Sequence, residues 1–119
     1  VLNDEDIVLK SDGTLERSHC YVTDAVMAMY YVLLNGENGG AYNIADQASQ
    51  ADIKTLASLI AGAKNKKVVF DLPDEQEKKG FSKVVKAVLD GQKLEHLGWK
   101  PQVHLEEGVE CTLRILENI

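Results

Sequence analysis

An apolar run over residues 25–34 constrains the fold of this chain more than any other feature. All ten of its residues are apolar or aromatic, and the stretch lies between Asp24 and the pair Asn35-Gly36. Thr23 or Asp24 can cap a helix start, because a side-chain oxygen there accepts from free backbone N–H groups. Asn-Gly is a helix stop signal. The pattern therefore predicts a helix that is apolar on all sides and needs cover on more than one of them.

Short β-prone and amphipathic segments surround this helix. The turn signal Ser11-Asp12-Gly13-Thr14 predicts a hairpin between residues 7–9 and 15–22. Two further strands are predicted over residues 41–45 and 67–72, and residues 81–89 are either a strand or an extended segment.

Apolar spacing predicts three more helices. Ser49 and Asp52 resemble a capping box before a helix over residues 51–61, and a long amphipathic helix follows over residues 105–118. Asp90 can cap a short helix over residues 92–97, and Trp99 is expected to pack in a corner of the core.

Composition limits the classes of function. A length of 119 residues fits one domain, and the net charge of −6 argues against broad affinity for nucleic acid or anionic membranes. No apolar run reaches the ~18 residues of a membrane span. Cys20 and Cys111 stand in no ligand or redox spacing, which indicates reduced thiols in a cytoplasmic protein.

Motifs for self-contained catalysis are missing from the sequence. The three histidines are scattered without metal-ligand spacing, and no tyrosine is followed four residues later by lysine. The glycines at 36, 39 and 40 follow a predicted helix and precede a predicted strand, which is the wrong order for a dinucleotide loop. We therefore predict no catalytic, cofactor-binding or metal-binding residue within the chain.

Single cations remain as candidates for anion binding. Arg17 carries a planar donor fork suited to a phosphate, although pairing with Glu16 or Asp12 is the alternative. Lys78 and Lys79 form a second, weaker candidate, for which the alternative is a solvated charge run.

Ordered motifs then give the chain a family resemblance. They are Gly13-x-x-x-Arg17-x-x-x-Tyr21-Val22-x-Asp24, Gly40-Ala41-Tyr42-Asn43-Ile44-Ala45, Ser49-x-x-x-Ile53-x-x-Leu56-Ala57 and Leu89-Asp90-x-x-Lys93-Leu94-x-x-Leu97-Gly98-Trp99-Lys100-Pro101. Together they resemble the C-terminal part of the extended short-chain dehydrogenases, the NAD-dependent nucleotide-sugar epimerases and dehydratases. The resemblance covers residues 7–117.

The resemblance implies an α/β fold of short strands and about four helices. It implies that Arg17 contacts the diphosphate of a UDP-, TDP- or GDP-sugar, and that Lys79 is the nearest substitute for a second arginine of the family. Residues 1–119 would be the substrate-binding part, without the N-terminal NAD(P)-binding domain and incapable of turnover alone. The residue pattern does not choose among epimerase, dehydratase, decarboxylase and reductase.

The resemblance also explains the apolar helix. In the family, this helix and the strand at 41–45 belong with the cofactor domain, so their uncovered surfaces should favour a homodimer or other self-association. A non-catalytic ligand-binding or interaction module that reuses the fold is the alternative function.

Overall fold

A computed structural model describes residues 1–76, 84 and 86–119. Within these residues the chain forms five short strands and four α-helices, in agreement with the predicted α/β class. In chain order they are β1 (Ile7–Leu9), β2 (Glu16–Ser18), α1 (Val22–Asn35), β3 (Gln50–Asp52), α2 (Ile53–Gly62), β4 (Val68–Phe70), β5 (Lys86–Ala87), α3 (Gln92–Glu95) and α4 (Leu105–Glu117). A 3₁₀ turn, Gln47–Ser49, precedes β3.

The strands form two small sheets, and the predicted β1–β2 hairpin is wrong. β1 pairs in parallel with β4, whereas β2 lies between antiparallel β3 and parallel β5. The turn between β1 and β2 does contain a left-handed Gly13 (φ 75°), as Asp-Gly predicts. However, the Gly13 carbonyl accepts from the N–H of Lys54 at 2.9 Å, so the turn docks on the start of α2. This contact directs β2 into the second sheet.

Helix α1 and its predicted end at Asn35-Gly36 are confirmed, but the predicted N-cap residues are wrong. The N-cap residue is Tyr21, which makes no side-chain capping bond, and the helix starts at Val22. Thr23 and Asp24 therefore lie inside the first turn. The Asp24 side chain is occupied elsewhere, since its carboxylate accepts from the backbone of the segment after Trp99.

The core is built around the middle of α1. Ala28, Leu94 and Trp99 are fully buried together, and half-buried residues such as Tyr31 and Ile44 pack against them. Trp99 is only 1% exposed, which confirms its predicted place in the core. The short helix α3 supplies Leu94. Its N-cap residue is Gly91 and not the predicted Asp90, although the Asp90 carboxylate accepts from the N–H of Gln92 at 2.9 Å.

Two other local predictions need correction. Residues 41–45 form no strand within the described chain; they have no ladder partner, and the Asn43 amide donates to the Asp90 carbonyl. The N-cap of α2 is Asp52 rather than Ser49, because the Asp52 carboxylate accepts from the N–H of Thr55 at 2.7 Å. Helices α2 and α4 and strand β4 otherwise agree with prediction.

One face of α1 is uncovered, as the family resemblance implied. Leu33 and Leu34 are 78% and 77% exposed, and other apolar residues of the helix are also exposed: Val22, Val26, Met27, Met29 and Tyr30. None of the helices in the described ranges is both long and apolar enough to cross a membrane.

Candidate anion-binding site

Arg17 lies in the middle strand of the three-stranded sheet. It is the central residue of β2, in register with Ala51 of β3 and Ala87 of β5. The side chain is half-buried, and its Nη1 donates to the Glu16 carbonyl at 3.1 Å. Among residues 1–76, 84 and 86–119, no carboxylate pairs with Arg17. The guanidinium therefore keeps most of its donors available.

The carboxylates that could have neutralised Arg17 are engaged elsewhere. Glu16 accepts from Lys86 Nζ at 3.1 Å. Asp12 accepts from the backbone N–H of Thr14 at 3.1 Å and from its hydroxyl at 2.9 Å, and these bonds lower the Asp12 pKa below its ordinary value. Pairing of Arg17 with Glu16 or Asp12, the alternative to anion binding, is not seen.

Asp24 joins the start of α1 to the segment before α4, a role that the sequence analysis missed. Its side chain is 4% exposed, and one carboxylate oxygen accepts from the N–H groups of Gln102 and Val103 at 2.9 and 2.8 Å. The Asp24 carbonyl accepts from the Trp99 indole at 3.0 Å. These bonds tie the start of α1, just after the Arg17 strand, to the segment before α4.

A second buried carboxylate, Asp46, pairs with His104. The Asp46 carboxylate is 1% exposed and accepts from the Ser49 hydroxyl and the Ala48 N–H, and it lies 2.7 Å from His104 Nδ1. Burial raises the pKa of Asp46, but its hydrogen bonds with His104, Ser49 and Ala48 outweigh burial, and the pKa lies below its ordinary value. The hydrogen bond to Asp46 and then its charge raise the pKa of His104. Three scattered histidines in the sequence gave no signal for this pair.

A cleft of about 390 Å³ lies between α2, α4 and the turn before α1. Its walls are mainly apolar, from Ile60, Val109, Leu113 and Leu116, with His104 on its border. Cys20 also lines this cleft, where burial and then the charges of Asp24 and Asp46 raise its pKa to about 11. Arg17 is not part of the lining, so the cleft and the candidate cation are separate features.

The remaining site predictions concern two lysines, two cysteines and metal binding. Lys79 and its neighbour Lys78 lie outside the described residues. Cys20 and Cys111 are free thiols, both half-buried. Across the described ranges, His, Cys, Asp and Glu side chains form no group of three able to hold a metal ion.

The glycine-rich turn after α1 does not fit a dinucleotide. Gly39 is left-handed (φ 76°), and the Gly40 N–H donates to the Glu37 carbonyl at 2.9 Å, which closes a turn after a helix. A pyrophosphate loop instead needs free N–H groups where a strand leads into a helix. The glycines at 36, 39 and 40 thus form a turn and not a pyrophosphate loop.

Comparisons with known proteins place this fold. The chain superposes on UDP-glucose 4-epimerase from Thermotoga maritima, solved with UDP-glucose, with a TM-score of 0.77 and 29% identity, over 98% of this chain and 36% of that one. It also superposes on dTDP-glucose 4,6-dehydratase from Bacillus anthracis, solved with NAD, with a TM-score of 0.81 and 21% identity, over 98% and 36% of the two chains. The fold is therefore that of part of the Rossmann-type epimerases and dehydratases.

Sequence comparison leads to the family. Residues 1–45 match the model of the NAD dependent epimerase/dehydratase family. UDP-glucuronic acid decarboxylase 6 from Arabidopsis thaliana is 32% identical over 113 residues, which are 91% of this chain and 30% of that protein. The chain belongs to the NAD-dependent epimerase/dehydratase family, the extended short-chain dehydrogenases, as the motifs indicated. It spans about a third of the length of the relatives it matches.

Proposed function

We propose that this chain is the nucleotide-sugar-binding part of an NAD(P)-dependent epimerase or dehydratase, and that Arg17 binds the substrate diphosphate. The proposal rests on the position of Arg17 in the sheet and on its lack of an acidic partner among the described residues. It is half-buried on a central strand, its potential acidic partners are engaged elsewhere, and a guanidinium fork suits bidentate phosphate contact.

The relatives support this substrate class. One similar structure holds UDP-glucose, and the similar plant protein is named for decarboxylation of UDP-glucuronic acid. All of these substrates present a diphosphate whose two negative charges need cationic or N–H partners. An exposed surface arginine would be a weak partner in water, whereas partial burial strengthens a charge-assisted contact.

The catalytic part of the proposal concerns residues that the 119-residue sequence does not contain. The sequence has neither a glycine loop between strand and helix nor a tyrosine followed four residues later by lysine. We propose that NAD(P) binding and proton transfer belong to a separate cofactor domain, and that residues 1–119 form a substrate-binding domain. The uncovered face of α1 would pack against that cofactor domain. We expect no NAD-dependent turnover from residues 1–119 alone.

Calorimetric titration of UDP-, TDP- and GDP-sugars into the chain and its Arg17→Ala variant tests the proposal. Loss of one charge-assisted contact is worth about 1.5–3 kcal/mol, which weakens binding roughly 10- to 150-fold. Arg114→Ala is the matched control, because it removes the only other arginine of the sequence, which is exposed on α4. Equal affinities of the Arg17→Ala variant and the parent chain would remove Arg17 from the site.

A further inference from the structure

The two faces of the three-stranded sheet differ in charge around Arg17. Glu16 is in register with Lys86, and their side chains form an ion pair at 3.1 Å, so both lie on one face. Side chains alternate between faces along a strand. Arg17 therefore lies on the opposite face, together with its register partners Ala51 and Ala87.

In the row that contains Arg17, both cross-strand neighbours are small and uncharged. The neighbouring row holds Asp52, Glu16 and Lys86, all of them charged. Paired strands lie about 5 Å apart, so each alanine is the nearest cross-strand neighbour of the Arg17 side chain. A carboxylate at either position would lie within reach of the guanidinium. A long neutral side chain would fill the space beside it.

We propose that Ala87, together with Ala51, determines the specificity of the Arg17 site. The two alanines place neither a carboxylate nor a long side chain beside the guanidinium, so that its donors stay available to a diphosphate. This inference rests on the proposed function, since it concerns the ligand of Arg17. It goes beyond the proposed function because it assigns ligand selection to the residues beside Arg17 as well as to Arg17 itself.

Ala87 is the position to test. Ala51 is buried, so enlarging it would disturb packing, whereas Ala87 is half-buried at the end of β5. Ala87→Glu adds length and a charge that can pair with Arg17, and Ala87→Gln adds the same length without charge. Ala63→Gln is the control, because Ala63 is an exposed alanine at the end of α2, outside the sheet.

The first measurement follows the arginine itself. The sequence contains two arginines, Arg17 and Arg114, so their Nε–H signals are readily assigned by NMR. Ala87→Glu should shift the Arg17 signal and slow its hydrogen exchange severalfold, while the Arg114 signal stays unchanged as an internal reference. An Arg17 signal identical in the parent chain and in the folded Ala87→Glu variant overturns the inference. If that variant does not fold, the Ala87→Gln titrations below decide.

The second measurement is titration with inorganic pyrophosphate and, separately, inorganic phosphate, followed by NMR. Ala87→Glu should weaken pyrophosphate binding at least tenfold. Ala87→Gln should weaken pyrophosphate binding more than phosphate binding, and Ala63→Gln should change neither by more than about twofold. Ala87 variants that bind pyrophosphate as the parent chain does contradict the inference. If the parent chain does not bind pyrophosphate, that result instead contradicts the proposed role of Arg17. The Arg17 Nε–H signal in the Ala87→Glu variant still tests whether residue 87 lies beside Arg17.

Discussion

Replacement of Asp24 by alanine should destabilise the chain more than any other single loss of a hydrogen-bonding side chain described above. One oxygen of this buried carboxylate accepts two backbone N–H groups, at 2.9 and 2.8 Å, from the segment that leads into α4. In the alanine variant both N–H groups lose their partner, and the start of α1 loses a favourable negative charge.

The magnitude follows from these contacts. A hydrogen bond to a charged group contributes about 1.5–3 kcal/mol, and a carboxylate in the first helical turn adds about 0.3–1 kcal/mol. Because the two bonds share one acceptor, their losses are not fully additive. We therefore expect Asp24→Ala to lower the free energy of unfolding by about 3–5 kcal/mol, a large part of the total for a domain of this size.

Urea unfolding followed by Trp99 fluorescence and far-ultraviolet circular dichroism measures this loss. Trp99 is the single tryptophan and donates to the Asp24 carbonyl, so its emission reports on the same junction. Asp52→Ala is the matched control, because it removes an exposed N-cap carboxylate worth about 1 kcal/mol. If Asp24→Ala is too unstable to measure, Asp24→Asn should retain a neutral acceptor and lose roughly half as much.

A loss for Asp24→Ala of less than about 1 kcal/mol, or no greater than that of Asp52→Ala, would refute the reasoning. It would mean that the Gln102–Val103 segment is held by its packing and not by the carboxylate.

Three other predictions concern pH, a turn and association. The raised pKa of His104 gives stability that is present below its unfolded value of 6.5 and is lost as pH rises through the folded value. The lowered pKa of Asp46 gives stability that is present above pH 3.8 and is lost at more acidic pH. The urea midpoint should therefore be highest between pH 3.8 and 6.5, and His104→Asn should remove the decline of the midpoint above pH 6.5. Gly13→Ala should lower the free energy of unfolding in urea by about 1–3 kcal/mol, because φ is 75° and the new methyl group would lie 2.9 Å from Lys54. Gly62→Ala is the control: its methyl group would meet nothing within 4 Å, so this variant should be neutral or stabilising. The exposed α1 face should make the chain a dimer or larger assembly in light scattering, and Leu33→Glu should convert it to monomer; a monomeric parent chain would contradict this.

Local sequence patterns predicted those elements whose signals are short-range. Helix α2, helix α4 and strand β4 follow from apolar periodicity, which acts over a few residues. The motifs also placed the chain in its family, because their order and spacing are preserved along nearly its whole length. Arg17 became a candidate by the same resemblance, and the structure added that its neighbouring acids are engaged elsewhere.

The incorrect predictions concern hydrogen-bonding groups that find a partner far away in the sequence. The Asp-Gly turn predicted a hairpin, but the Gly13 carbonyl found the N–H of Lys54 on α2. Asp24 had the chemistry of an N-cap, but two N–H groups 78 and 79 residues away occupy its carboxylate. A local pattern cannot report such partners, because the competing bond exists only after the chain has folded.

The sequence by itself determined the class of fold, the family and the residue types available for anion binding. Those conclusions depend on periodicity and motif order, which are written along the chain. Only the tertiary structure decided that Arg17 stands between two alanines, that Asp46 meets His104, and that one face of α1 is uncovered. These features depend on strand register and on which surfaces meet, and both are set by contacts between residues far apart in sequence.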